Sequence, residues 1–333
     1  MMEYKFMNNK LNLIKSISPL YMLNLSTGKK NIFIKRDDLI DFGIGGNKVR
    51  LLEYIVFEAL RNNVKKLITF GSVHSNHIRI TSSIAKMFNL DCDVIILKNK
   101  NEEKIVEGNQ LLLNIYGSNV YYCDIKEARQ YIDNHLKKQN NEGIRYCFIP
   151  GGGHTAEGAL GYVRAMYEIY KQCKDNDINI DTIVVPTGTG TTQAGLIYGC
   201  KLLNLNINII GISIARRRQR CQKEIKYILD KLDKKFIKNY KILLEDVNVV
   251  DKYLDDYGEI TNLELKTIKK LIDTDGIILD PIYNGKAFST MVSMIKNDEI
   301  EEKNLLYINT GGLPNIFCKD FIERMKKNEC SNN

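Results

Sequence analysis

The chain has 333 residues, with 48 Lys and Arg against 40 Asp and Glu, a formal charge of +8, and 44% hydrophobic residues. That is enough apolar material for one large or two closely packed domains, and it excludes fibrous, collagen-like and disordered chains. The basic excess is thinly spread. Its densest cluster, Arg216, Arg217, Arg218 and Arg220, has no aromatic neighbour for stacking bases, so it reads as a solvated loop or helix start and no nucleic-acid partner is expected.

The N-terminal MMEYKFMNNKLNLIK breaks its apolar residues with Lys and Asn before a signal-peptide core can form. From there a strand over 32–36 precedes a helix over 47–62, which puts Val49, Leu52, Ile55, Val56, Ala59 and Leu60 on one face. Strand 67–70 then leads to helix 76–88, strand 93–97 to helix 102–115, and strand 119–122 to helix 125–138. Strand 145–149 leads to helix 156–172 and strand 182–186 to helix 192–203. Strands 207–214 and 246–250, helix 260–273 and strand 304–309 complete the pattern. Such alternation predicts an α/β fold with parallel sheets covered on both faces. No run approaches the ~20 apolar residues of a membrane span. Eight scattered cysteines form no CxxC and no Cys/His pairing at ligand spacing, so a reducing, cytoplasmic location and no metal site are expected.

Ligands of such sheets bind beyond the carboxyl ends of the strands, where Gly-rich turns enter helices. Four glycine clusters fall there: Gly43/Gly45/Gly46, Gly151–Gly153, Gly188/Gly190 and Gly311/Gly312. In TIVVPTGTGTTQAGL, Gly188 and Gly190 let amides converge, Thr189, Thr191 and Thr192 add hydroxyl donors, and a helix start favours an anion. There is no Walker lysine and no GxGxxG, so a phosphate monoester fits better than a nucleotide. Lys48 stands just after two glycines at a helix start, where the positive helix end lowers an amine pKa. Taken alone such a lysine is more often solvent-facing, but an amine together with a phosphate cradle is what pyridoxal 5'-phosphate requires. Ser75, Asn76 and His77 enter another helix after a strand; they suit a substrate carboxylate, while Ser75 is equally readable as a plain N-cap. His74 and His77 have no acidic partner nearby in sequence and are not assigned as base or ligand.

GGNK at 45–48, SNH at 75–77, PGGG with EGALGYVRA at 150–165, PTGTGTTQAGL at 186–196, DPIYNGKA at 280–287 and NTGGLPNIF at 309–317 together resemble the D-cysteine desulfhydrase and 1-aminocyclopropane-1-carboxylate deaminase family, from about residue 10 to 325. The resemblance implies a fold type II pyridoxal-phosphate enzyme with two α/β domains and the cofactor between them. Residues 1–49 and 161–333 would form the larger domain and 50–160 a smaller insertion. It implies that Lys48 holds the cofactor covalently, that Asn76 sits beside its ring oxygen, and that Gly188, Thr189, Gly190, Thr191 and Thr192 surround its phosphate. Ser75 would lie over a small amino-acid substrate whose carboxylate the 75–77 amides hold. Tyr283 and Tyr257 match two active-site tyrosines, and members are commonly homodimers. Deaminases of the family carry Glu after the DPxY tyrosine and Leu where Thr310 stands; desulfhydrases carry small hydroxyl residues at both. With Asn284 and Thr310, this chain favours elimination of sulfide from D-cysteine at the second position and departs from both patterns at the first. Thr191, where Gly is common, is a second departure.

Overall fold

A computed structural model describes residues 9–25, 28, 30–99, 106–252 and 257–330. Residues 1–8 of the N-terminal segment and 102–105 of the expected helix over 102–115 lie outside the described residues.

Two sheets carry the fold. The larger has the order β1-β2-β10-β7-β8-β9, made of Leu20–Met22, Asn31–Arg36, Asn304–Asn309, Thr182–Thr187, Asn208–Ser213 and Val249–Val250. The smaller has the order β5-β4-β3-β6, made of Asn119–Asp124, Asp91–Lys98, Lys66–Gly71 and Tyr146–Ile149. All pairings are parallel except β1 with β2. Parallel strands need both faces covered, and the side-chain period of two sends neighbouring residues into opposite cores. Ile183 and Val185 of β7 pack with the helices α5 (Ala156–Asp175), α6 (Thr191–Leu202) and α7 (Arg218–Phe236). Val184 between them packs on the other face with α8 (Asn262–Asp275) and α9 (Lys286–Lys296).

In the smaller sheet Leu67, Val94 and Ile96 pack against α1 (Asn47–Arg61) and α2 (Asn76–Met87), and Ile95 packs with Ile132 of α4 (Ala128–Asn141) on the far side. The helix α1 serves both sheets: Val49, Leu52, Ile55, Val56 and Ala59 join the smaller core, and Leu51 and Tyr54 the larger. Its neighbour α5 runs unbroken across residue 160. Close helix contact depends on small residues here, since a Cβ on Gly195 of α6 would lie 2.4 Å from the Ala159 carbonyl oxygen of α5.

Several elements differ from expectation. The strand expected over 246–250 is Val249–Val250 only. The helix expected over 102–115 is α3 (Gly108–Ile115) within the described residues. β1, α7, α9 and α10 (Lys319–Cys330) are additional. Among the described residues no helix is long and apolar enough to cross a membrane.

Candidate active site

Loops at the carboxyl ends of β3, β6, β7, β8 and β10 open on one cavity of ≈ 360 Å³, which also receives the start of α1. Every site residue expected from the sequence lines it: Lys48, Ser75, Asn76, His77, the 188–192 loop, Tyr257, Tyr283 and Thr310. Among the described lining residues there is no Asp or Glu.

Lys48 is the second residue of α1, and its Nζ donates to the Gly152 carbonyl at 3.1 Å. Burial, rather than the helix end invoked from the sequence, lowers its amine to a pKa of about 8. The backbone leading into α1 leaves no room for a side chain. Gly46 has φ +107, and its Cβ would stand 2.8 Å from the Thr310 carbonyl oxygen. That oxygen accepts from the Asn47 amide at 3.1 Å, tying the lysine loop to the end of β10.

The 188–192 loop turns at Gly190, φ +86, directly into α6, and no side chain caps that helix. Its first amides and the hydroxyls of Thr189 and Thr191 therefore form an uncapped helix start on the cavity, the arrangement an anion prefers. Thr192 Oγ1 instead accepts from Asn47 Nδ2 at 2.9 Å, linking the cradle to the lysine loop. A half-buried amine hydrogen-bonded to a carbonyl, with an uncapped helix start beside it in the same cavity, fits a phosphorylated aldehyde cofactor.

Ser75 occupies the N-cap position of α2, yet its side chain makes no cap bond, so the capping alternative does not account for it. Asn76 Oδ1 accepts from Asn109 Nδ2 at 3.0 Å, which leaves the amide NH2 as the group Asn76 can offer the cavity. His77 Nε2 lies 2.9 Å from Thr69 Oγ1. Burial, then the nearby Lys48, depress this imidazole to about 3, so it is neutral and ill suited as a base.

Tyr283 lies in a single π-turn, Pro281–Gly285, capped by Asp280, whose carboxylate accepts from the amides of Tyr283 and Asn284 at 3.0 and 2.9 Å. Its hydroxyl stands 2.6 Å from that of Tyr257, which is 2.8 Å from Ser72 Oγ. Burial raises both tyrosines above their ordinary pKa, keeping them as proton donors. Asn284, by contrast, is fully buried and does not line the cavity. Its Oδ1 accepts from the Thr310 amide at 2.9 Å and the Thr310 hydroxyl at 3.3 Å, while its Nδ2 donates to Asp280 at 2.7 Å. It holds Thr310 in place and does not itself face a ligand.

Sequence reasoning missed Asn47, Ser72 and Arg216, which also line the cavity; Gly152 lies in one of the expected glycine clusters. Arg216 was grouped with its exposed neighbours; its position just after strand β8 was the signal that separates it from them.

The profile of a family described as pyridoxal-phosphate dependent enzymes matches residues 14–311. A Pyrococcus horikoshii protein named "putative 1-aminocyclopropane-1-carboxylate deaminase" is 37% identical over 317 residues, 92% of this chain and 93% of its own. A crystal structure of an "ACC deaminase homologue" superimposes with a TM-score of 0.87 at 32% identity, covering 96% of this chain and 95% of that one. The processed form of threonine deaminase isoform 2 from Solanum lycopersicum shares the fold, with a TM-score of 0.65 at 18% identity over 94% of this chain and 83% of its own.

Proposed function

The chain belongs to the pyridoxal-phosphate-dependent enzymes of fold type II, and from that premise we propose that it is a lyase converting D-cysteine and water to pyruvate, hydrogen sulfide and ammonia. The observation that carries this choice is the absence of any carboxylate among the described cavity-lining residues, with the Thr310 hydroxyl present instead. The bound cofactor supplies an electron sink for the carbon that loses its proton, a stronger one when an acid beside its ring nitrogen keeps that nitrogen protonated. A hydroxyl partner suffices where thiolate can leave from Cβ, whereas opening an unactivated cyclopropane asks for more.

In this reading Lys48 holds the cofactor, the 188–192 loop its phosphate, Asn76 its ring oxygen and Thr310 its ring nitrogen. The 75–77 amides hold the substrate carboxylate, with Ser75 over the substrate. The lowered basicity threshold of Lys48 makes its freed Nζ the acceptor of the Cα proton. The tyrosines, raised in pKa, stay protonated, so Tyr283, resupplied through Tyr257 and Ser72, gives a proton to the leaving sulfur. A smaller domain over about 50–160, a homodimer and a cytoplasmic location belong to the same proposal.

A deaminase acting on 1-aminocyclopropane-1-carboxylate is the second reading, favoured by the name of the 37% identical relative. Sulfide and pyruvate released from D-cysteine, with L-cysteine and aminocyclopropane carboxylate run in parallel, decide between them. Turnover of D-cysteine alone supports the desulfhydrase. Production of 2-oxobutyrate with no sulfide would overturn the argument from Thr310 and leave the cofactor assignment standing.

A further inference from the structure

The loop after β6 touches the site twice. Gly152 gives its carbonyl to Lys48, and two residues later His154 places Nδ1 at 3.2 Å from Thr191 Oγ1. The other ring nitrogen, Nε2, lies 3.1 Å from Glu224 Oε2 on α7, close enough for an ion pair but not aligned as a hydrogen bond, and the ring stacks on Tyr227 of the same helix with centroids 6.2 Å apart. Thr191, 1% exposed, also stands 3.3 Å from Thr189 Oγ1, so a carboxylate, an imidazole and two hydroxyls run in line from the surface to the cradle. Neither His154 nor Glu224 has a part in the chemistry described above.

We propose that His154, backed by Glu224, is a positioning residue of the phosphate cradle, taking up a proton as the cofactor's phosphate binds so that the Thr191 hydroxyl can donate to it. This deepens the cofactor assignment made above and rests on it. The proton logic follows from the distances. When the ring is neutral with its proton on Nε2, the nitrogen nearer Glu224, Nδ1 has only a lone pair, and the Thr191 hydroxyl must spend its one proton on it. The phosphate then meets an oxygen with no hydrogen to offer. A proton added at Nδ1 reverses that bond: Nδ1–H donates to Thr191 Oγ1, and the threonine proton is free for the phosphate.

The charged groups facing the ring set when this happens. Burial holds the imidazole below its ordinary pKa; Glu224 opposes this from α7, while Arg216, from the loop before α7, and Lys48, from α1, add to it. With a phosphate dianion held in the cradle, those two cations would be offset and the imidazole pKa raised in the bound form. The affinity gained is therefore complete below the pKa of the free protein and is lost as pH rises through that of the bound form.

The test uses full-length protein stripped of cofactor and titrated with pyridoxal 5'-phosphate, and with pyridoxamine 5'-phosphate, which has no aldehyde to react with Lys48. Fluorescence quenching gives affinity, and calorimetry in buffers of different ionisation enthalpy counts the protons taken up. The expected result is affinity about tenfold weaker in His154→Ala, the scale of one hydrogen bond to a charged group. His154→Asn, whose amide still reaches Thr191 but does not titrate, should bind nearly as wild type while taking up measurably fewer protons. Glu224→Gln, partly exposed and expected to fold, should lower both affinity and proton uptake. Equal proton uptake in wild type and His154→Asn, or affinity within twofold in His154→Ala, would overturn the inference while leaving the cofactor assignment intact. Failure of the wild-type protein to bind either compound would overturn both.

Discussion

Lys48 is half-buried with no carboxylate among the described residues lining its cavity, and its amine becomes neutral above a pH of about 8 rather than near 10.5. In cofactor-free protein, its labelling by an amine-reactive reagent, followed by peptide mass spectrometry, should therefore reach half its maximum about two pH units below that of exposed lysines. Asn284 belongs to another class of residue: it takes hydrogen bonds from Thr310 and Tyr307 and gives one to a carboxylate, all away from solvent. Asn284→Ala leaves several buried polar groups without partners and should cost roughly 2–4 kcal/mol, read as a lower urea midpoint at unchanged slope. The residues that touch the cavity were largely legible, because an amine after two glycines and a Gly/Thr turn before a helix, each ordinary alone, point together to one cofactor, and the motifs of the family resemblance supplied the rest. The role of Asn284 was not. Its neighbours in sequence suggest a ligand-facing position, and only the packing of the π-turn against the end of β10 turns its side chain inward.

Among the elements, strands were readable from β-branched runs, but their partners were not. β2 pairs in parallel with β10, whose residues lie some 270 positions later, and no local signal encodes such a neighbour. β1 is three residues long with two of them exposed, too short for a period-two pattern to emerge. The helix α9 does carry a polar stripe, Lys286, Ser289, Ser293 and Lys296, although the fold buries all but the last of these wholly or in part. Cys221, Ile225, Ile228, Leu229 and Leu232 of α7 do keep helical spacing, a signal obscured by the dense lysines around them. The crossing of α5 and α6 yields a prediction at this scale. Gly195→Ala gains about 1 kcal/mol of helix propensity, but pushing a backbone carbonyl 2.4 Å away out to normal contact costs roughly 1–3 kcal/mol. The net effect should be a less stable protein, seen as a lower melting temperature despite the added helix former.

At the scale of the whole molecule, β2, α1 and α5 are joined by a buried cluster. Arg50 bonds Asp37 at 2.8 Å and Glu168 at 2.9 Å, and Lys35 bonds Glu168 at 2.6 Å. Burial alone would raise the Asp37 carboxyl, but Arg50 prevails and holds it at about 2. Because that folded value lies below the 3.8 of the unfolded chain, the pair contributes roughly 2 kcal/mol above pH 4, lost as pH falls toward 2. Urea unfolding at pH 7, 4 and 3 should show this decline, and Asp37→Asn should make it shallower. The same helix, α1, has one side in each of two hydrophobic cores, and Lys48 stands on its first turn. A beam seated in two walls cannot stay flush with both when one leans. Any tilt of the smaller sheet must either turn this helix or peel it from one core, and in both cases the amine moves against the anion cradle. A change in the angle between the sheets would therefore alter the reach between the Lys48 amine and the 188–192 loop.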